Sequence, residues 1–318
     1  MKNLIKEFFK KRDGVFAIQL FANEKLTLSE FDEQHLIMRM KICGLWKPEP
    51  ILFRADPFLF EKDEELYLFY EKQSGFNHGQ ILMIKTADLV SWTEPVVVLK
   101  EPFHLSFPFV FEEQGKIYMI PESQEDLSIR LYEANNDLTS FTYIRTLLKQ
   151  EIRMGADTNC VDNYIYKKDG IFYLFTSFRD NWTINQELFY SNNLLNGEFI
   201  RHKCSPICIS NEYGRNGGSL LNYYGHILRV SQDCANDYGS DIDLHEIIAI
   251  DKNRYEEKLY KRKLFSNNHL FPDGGHQLNI VYFKNQYIYA TDYREKRWTW
   301  YHLYYLLKKK IKMQSKRQ

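Results

Sequence analysis

Two acids frame one short hairpin. In FRADPFLFEKDEELYLFYE, residues 53–71, Asp56 stands before a proline and two residues after Arg54, and Glu71 closes the stretch. A pair of carboxyls can serve as base and acid: the ionised one takes a proton from a hydroxyl or water, and the protonated one gives its proton to a departing oxygen. Polar groups recur at matching places further along. They are His104, Ser106 and Glu122; Asp157, Asp162, Ser177 and Arg179; Arg215, Asn216, Gln232 and Asp233; then His276, Gln277 and Asp292. A single strand-end acid often does no more than satisfy a turn. A whole set of acids, with Arg and His interspersed, suits a polar pocket of sugar size.

The elements that must place these residues are hairpins. Besides 53–71, the blocks 105–123, 160–177, 215–233 and 275–292 each read as strand, short polar turn, strand. Tyr67, Tyr118, Tyr173, Leu228 and Ile288 correspond on the second strands, at steps of 51, 55, 55 and 60 residues. Each lies eleven residues after Asp56, Phe107, Asp162, Gly217 or Gln277. Further strand-like runs follow, such as IKTADLVSWTEPVVVL and LYEANNDLTSFTYIRTLL. Five units of about four strands predict an all-β, five-bladed β-propeller in one domain. The expected blades lie near 54–100, 105–150, 156–208, 214–265 and 274–305. GVFAIQLF, within 13–50, supplies a closing strand that pairs the two chain ends and removes a sheet edge. In such a fold the start of strand one and the end of strand two emerge at the same mouth, which brings Asp56 and Glu71 together.

Composition narrows the partners. The 42 basic and 42 acidic residues cancel, so no global field recruits nucleic acid. Aromatics at 16% favour strands and sugar-binding surfaces. Residues 1–12 read as a weak amphipathic segment without a signal-peptide core, and no run is long enough to span a membrane. RWTWYHLYYLL reads as the last strand, and 306–318 as a basic tail; aromatics beside lysines suit a membrane surface. The five cysteines are odd in number and scattered, which predicts reduced thiols in a cytoplasmic protein, peripheral on the membrane's inner face. Asp241-x-Asp243 has the spacing of a nucleotide-sugar metal motif but lies in a strand-like run. No metal or cofactor is expected.

ADPFLF, HLSFPFVF, YMIPES, GRNGGSL, SQDCANDYG and GGHQLN resemble the N-terminal propeller domain of glucosamine inositolphosphorylceramide transferases, and more distantly glycoside hydrolase family 43 propellers. The resemblance spans roughly residues 50–295. It implies a first-blade catalytic Asp, matched by Asp56 as base. Glu122 is then a plausible acid and Asp162 a third catalytic carboxylate. Arg54, Glu71, His104, Ser106, Arg179, Arg215, Asn216, Gln232, Asp233 and His276 are substrate ligands. Where a hydrolase would carry DPT this chain has DNY, and RNGG stands for RPAG. The expectation is a glycosyltransferase of bacterial surface-polysaccharide or glycolipid assembly, taking an activated sugar donor and a glycan or lipid-linked acceptor. The alternatives are a furanosidase-like hydrolase and a non-catalytic glycan-binding module.

Overall fold

The computed structural model describes residue 9 and residues 12–47, 50–75, 77–149, 156–180 and 183–315. The chain begins with β1 (Asp13–Asn23) and β2 (Leu36–Arg39). A first group follows: β3 (Ile51–Lys62), β4 (Glu65–Ser74), β5 (Gln80–Thr86) and β6 (Val96–Leu99). The second is β7 (Ser106–Glu113), β8 (Lys116–Glu122), β9 (Ser128–Ala134) and β10 (Phe141–Lys149). The third is β11 (Ala156–Lys168), β12 (Ile171–Asp180), β13 (Thr183–Ser191), β14 (Ile200–Arg201) and β15 (Cys208–Ile209). The fourth is β16 (Arg215–Asn216), β17 (Leu221–Tyr223), β18 (His226–Asp233), β19 (Asp241–Ile250) and β20 (Tyr255–Lys261). The chain ends with β21 (Leu278–Phe283), β22 (Gln286–Arg297) and helix α1 (Trp300–Ser315).

Each leading hairpin turns through two residues with positive φ: Asp63-Glu64, Gln114-Gly115, Asp169-Gly170, Tyr224-Gly225 and Lys284-Asn285. That is the type I′ geometry, whose twist matches the strands it joins. The turns fix the register. Tyr67, Tyr118, Tyr173, Leu228 and Ile288 face Phe60, Phe111, Tyr166, Leu221 and Val281. In all five hairpins the partner lies four residues beyond the first-strand position matched from sequence.

The first three hairpins also share a bulge. Pairing is interrupted between Ala55 and Phe58, Ser106 and Phe109, and Val161 and Tyr164. Asp56, Phe107 and Asp162 open these bulges with φ of 53°, 44° and 54°. In the fourth hairpin Gly217 and Gly218 fill the gap; a Cβ on Gly218 would lie 2.2 Å from the Leu278 carbonyl oxygen, so only glycine lets β21 approach.

The GVFAIQLF segment lies in β1, which pairs with the last strand. β1 pairs antiparallel with β22 over eleven residues and carries β2 on its other side, while a single parallel bridge, Phe16 to Phe53, links it to β3. Aromatic contacts seal this seam. Phe21 meets Phe31 edge-on at 5.4 Å and stacks on Phe271 at 6.3 Å.

One element departs from expectation. The WTWYHLYYLL stretch is not a strand, and the described part of the basic tail, 306–315, is helical. Strand β22 stops at Arg297, and α1 takes in both stretches as far as Ser315. Thr299 caps the helix by accepting the His302 N–H at 3.0 Å. Of residues 300–308 only His302 is buried. Most of the expected amphipathic segment 1–12 lies outside the described residues. No described helix is long and apolar enough to cross a membrane.

Truncating Phe21 to alanine should cost about 3–5 kcal/mol, because it opens a cavity where β1 meets the last strands. Denaturant unfolding of Phe21→Ala against the parent measures it; a loss below about 1 kcal/mol would mean that the seam contributes little.

Candidate functional site

The hairpin ends converge, and their first task is to satisfy the bulges. A bulge turns a buried N–H away from its own ladder, and that donor needs another partner. Phe107 N–H donates to Asp56 Oδ2 at 3.1 Å, Asp162 N–H to Glu122 Oε2 at 3.3 Å, and Asp56 N–H to Asp292 Oδ2 at 3.2 Å. Asn216 N–H donates in the same way to Ser177 Oγ at 2.9 Å. The acids at strand ends therefore tie each hairpin to its neighbour.

Around Asp56 the tie becomes a charge cluster. His276 places Nε2 3.4 Å from Asp56 Oδ1 and Nδ1 2.6 Å from Asp292 Oδ2. Asp292 Oδ1 also takes the His276 N–H at 2.7 Å. All three side chains are buried. Burial pushes the Asp56 carboxyl up to about 6; the His276 charge pulls it down, and Asp162 and Asp292 push it further up. Burial opposes a charge on His276, but Asp292 and Asp56 outweigh it and hold its pKa above the ordinary value. Two carboxylates and an imidazole with ligand atoms within 4.8 Å of one another could hold a cation.

A second cluster forms around Asp162. Arg215 donates through Nε to Asp162 Oδ2, with Nη2 4.0 Å from Glu122 Oε2. Gln232 Nε2 reaches the same Asp162 oxygen at 3.3 Å, and Asn216 Nδ2 donates to the Asp162 carbonyl at 2.7 Å. Burial, then repulsion by Asp162, holds Glu122 well above the usual carboxylate range although Arg215 pulls it down. Glu71 is raised by burial first, and then by the Asp56 and Glu122 charges. It lies 3.4 Å from His104 Nε2. The His104 ring takes the Gly79 N–H at 3.0 Å on Nδ1, and burial lowers its pKa.

The structure thus gathers Asp56, Glu71, His104, Glu122, Asp162, Arg215, Asn216, Gln232 and His276, with Ser106 paired opposite Glu122. Two candidates lie apart. Arg54 turns outward and donates to the Lys41 carbonyl at 3.2 Å. Asp233 closes a turn, accepting the Ala235 N–H at 3.0 Å. Arg179 lines a small cavity of ≈ 70 Å³ together with Arg215. The side chain of Asp157 lies outside the described residues. Asp241 and Asp243 are engaged by the loop that follows β20: they accept the Phe265 and Lys263 N–H groups, at 2.8 and 2.7 Å.

Sequence reasoning missed Tyr238. Its ring stands over Arg215 at 4.9 Å and meets the edge of His276 at 5.1 Å, joining the two clusters. The only signal is a tyrosine before a glycine in the loop after the fourth hairpin; a Cβ on Gly239 would lie 2.8 Å from His276 Cβ. Asp292 was legible as a hairpin end, but not as the partner of His276.

The fold is a propeller of the kind found in glycoside hydrolases. A family 117 glycoside hydrolase from Zobellia galactanivorans superposes with a TM-score of 0.54 at 13% identity, covering 89% of this chain and 90% of that one. A family 32 β-fructofuranosidase from Bombyx mori gives 0.54 at 14% identity, over 74% and 54% of the two chains. At such identities the likeness is one of fold alone. Sequence narrows the assignment: residues 46–269 match the family described as glucosamine inositolphosphorylceramide transferase 1, N-terminal, and the chain belongs to it. The Arabidopsis thaliana protein named glucosamine inositolphosphorylceramide transferase 1 is 37% identical over 216 residues, 65% of this chain and 27% of its own length. The chain therefore spans about a quarter of the curated relatives it matches.

The raised carboxyls carry a stability consequence. The folded state binds the Asp56 proton more tightly than the unfolded chain does, so stability falls as pH rises from 3.8 to about 6. His276, also raised, adds stability below its unfolded value that is lost as pH rises through its folded one. Asp56→Asn should match the parent near pH ~4 and exceed it above pH ~6 by on the order of 2–3 kcal/mol. Denaturation at the two pH values tests this; an equal or lower stability of the variant at the higher pH would contradict it.

Proposed function

We propose that this chain is the sugar-handling, catalytic propeller of a glycosyl-transfer system. It would build a surface polysaccharide or glycolipid on the inner face of a bacterial membrane. The observation that carries the proposal is a cluster of buried carboxyls gathered around His276 and Arg215. Burial raises Asp56 to about 6 and holds Glu71 and Glu122 well above the usual carboxylate range. Several perturbed carboxyls in one site are suited to acid and base roles.

In this reading Asp56 takes the proton of the attacking acceptor hydroxyl. Glu122 keeps its proton and hydrogen-bonds the departing oxygen, and Arg215 beside it offsets the negative charge that develops there. Asp162, bound to Arg215 and Gln232, positions that guanidinium. Glu71, His104, Asn216 and His276 hold hydroxyls of the sugar. The donor is an activated sugar and the acceptor a glycan or a lipid-linked glycan, in keeping with the name of the plant relatives. The membrane setting is supported by exposed aromatic and apolar side chains ahead of a run of lysines: Trp298, Tyr304, Tyr305 and Leu307 are exposed, and four lysines follow within residues 308–312.

A second reading, a glycan-binding module without turnover, is favoured by one observation. Asp56, Glu122, Asp162 and Asp292 each already accept a hydrogen bond within the protein.

Purified protein incubated with UDP-linked hexoses and hexosamines, with and without phosphoinositol glycolipid vesicles, decides between them. Mass spectrometry should find a glycosylated lipid, formed at least ~10²-fold more slowly by Asp56→Asn. Free sugar without acceptor would indicate a hydrolase. Glycan binding without any product would indicate the binding module, and equal rates in the variant would remove Asp56 as base.

A further inference from the structure

Tyr238 stands where the two charge clusters approach the surface. Its ring is 37% exposed and lies between them: Arg215 Cζ is 4.9 Å from the ring centroid, and the His276 ring meets it at 5.1 Å and 79°. Phe16 supports it from the first strand at 5.9 Å. These contacts use the ring and not the hydroxyl. Beneath it Arg215 keeps 17% of its side chain exposed, while Glu122 and Asp162 keep 8% and 3%. Of these three side chains Arg215 is the one open to water, and Tyr238 covers it. The same ring borders a groove of ≈ 530 Å³ and the ≈ 70 Å³ cavity lined by Arg179, Arg215 and Cys234, so moving it would join the two.

The ring is held in place through its loop, residues 234–240 between β18 and β19. At the base Ser240 donates to the Asp233 carbonyl through its N–H at 3.0 Å and its Oγ at 2.8 Å. At the crest Arg294, buried on β22, donates to the Tyr238 carbonyl. Asp237 accepts the Tyr238 N–H at 3.0 Å and lies 2.7 Å from Lys296 Nζ. Asp237 and Lys296 are 44% and 37% exposed, and a pair so open to water is weak. The crest can therefore lift to admit a reactant while the base stays bonded.

We propose that Tyr238 is a positioning residue that favours transfer over hydrolysis: its ring steadies Arg215 and His276 and closes the acids off from water. The proposal rests on the glycosyl-transfer reading for the reaction it protects. In that reaction water competes with the acceptor. Its oxygen would bond to the anomeric carbon, its proton would pass to Asp56, and the bond to the departing oxygen would break, giving free sugar. The acceptor hydroxyl reacts with the same balance and gives the glycoside. Asp56 takes a proton from either oxygen alike, so exclusion of water decides between them. An aromatic face steadies a guanidinium without occupying its N–H donors, so Arg215 keeps them for Asp162 and for the departing oxygen.

Tyr238→Ala and Tyr238→Phe test this in two ways. Cys234, on the covered cavity, reports access without any turnover. Peptide-resolved alkylation by iodoacetamide should run about tenfold faster at Cys234 in Tyr238→Ala and at the parent rate in Tyr238→Phe. Cys160, buried in the core, should react equally slowly in all three proteins. In the transfer assay with UDP-linked sugars and glycolipid vesicles, the ratio of free sugar to glycosylated lipid should rise about tenfold in Tyr238→Ala. Tyr238→Phe should restore the parent ratio. Equal Cys234 rates in parent and Tyr238→Ala, or a Phe variant that behaves as the Ala variant, overturns the proposal. Cys160 reacting in step with Cys234 would mean general loosening and would overturn it too. Faster Cys234 alkylation in a protein that transfers no sugar would uphold the cover and remove the catalytic reading. Transfer by the parent with one product ratio in all three proteins would do the reverse.

Discussion

The structure depends on a few buried backbone N–H groups that have lost their place in a β-ladder. Each bulge at the head of the first three hairpins points one such donor toward the neighbouring hairpin. Left unmet, each would cost about 1–3 kcal/mol. Asp292, Asp56 and Glu122 meet them in turn. This is the reason for Asp56 in the hairpin 53–71 and for Glu122 and Asp292 at the ends of other hairpins; Glu71 instead lies 3.4 Å from His104 Nε2. Asp56 stands on the bulge itself and serves the next hairpin. Glu122 and Asp292 stand at strand ends and do the same. Residues that look like a reaction centre are also the joints of the framework.

The joints are electrostatically expensive, and that cost produces the site's chemistry. Carboxyls gathered away from water repel one another and resist ionising. Two places among the described residues offset this. His276 lies between Asp56 and Asp292, and Arg215 is bonded to Asp162 and close to Glu122. Glu71 has only His104 close by, whose own pKa is lowered. Asp56 is left titrating at about 6, and Glu71 and Glu122 are held well above the usual carboxylate range. At Asp56 the joint uses one oxygen and leaves the other: Oδ2 goes to Phe107 and Oδ1 faces His276.

Much of the architecture was legible because it is local. Two-residue turns and alternating strands set the register of each hairpin without reference to the rest of the chain, and the repeat displayed that register five times. What failed to be read depends on which way a side chain leaves a strand. Gln232 and Asp233 are adjacent, and strand alternation sends them to opposite faces, one toward Asp162 and the other into a turn. Arg54 and Asp56 are two apart and would share a face in a regular strand, but the bulge at Asp56 breaks that parity. Helix α1 was misread for another reason. Tyr and Trp side chains suit strands by propensity, so its first turns looked like more sheet, although its lysines are good helix formers.

The most distant contacts in sequence complete the site. His276 is walled by Phe16 of the first strand, and its partner Asp292 lies on β22, which pairs with that strand along its whole length. The wall is not in place until the two ends of the chain have met, and contacts of such separation carry the largest loop-closure cost. The state of Asp56 follows from that event. Without His276 and Asp292 its carboxyl would lose both the cation that draws its proton away and the acceptor that fixes its own N–H. The strength of the β1–β22 seam and the protonation of Asp56 are therefore linked quantities, and a change that loosens one must shift the other.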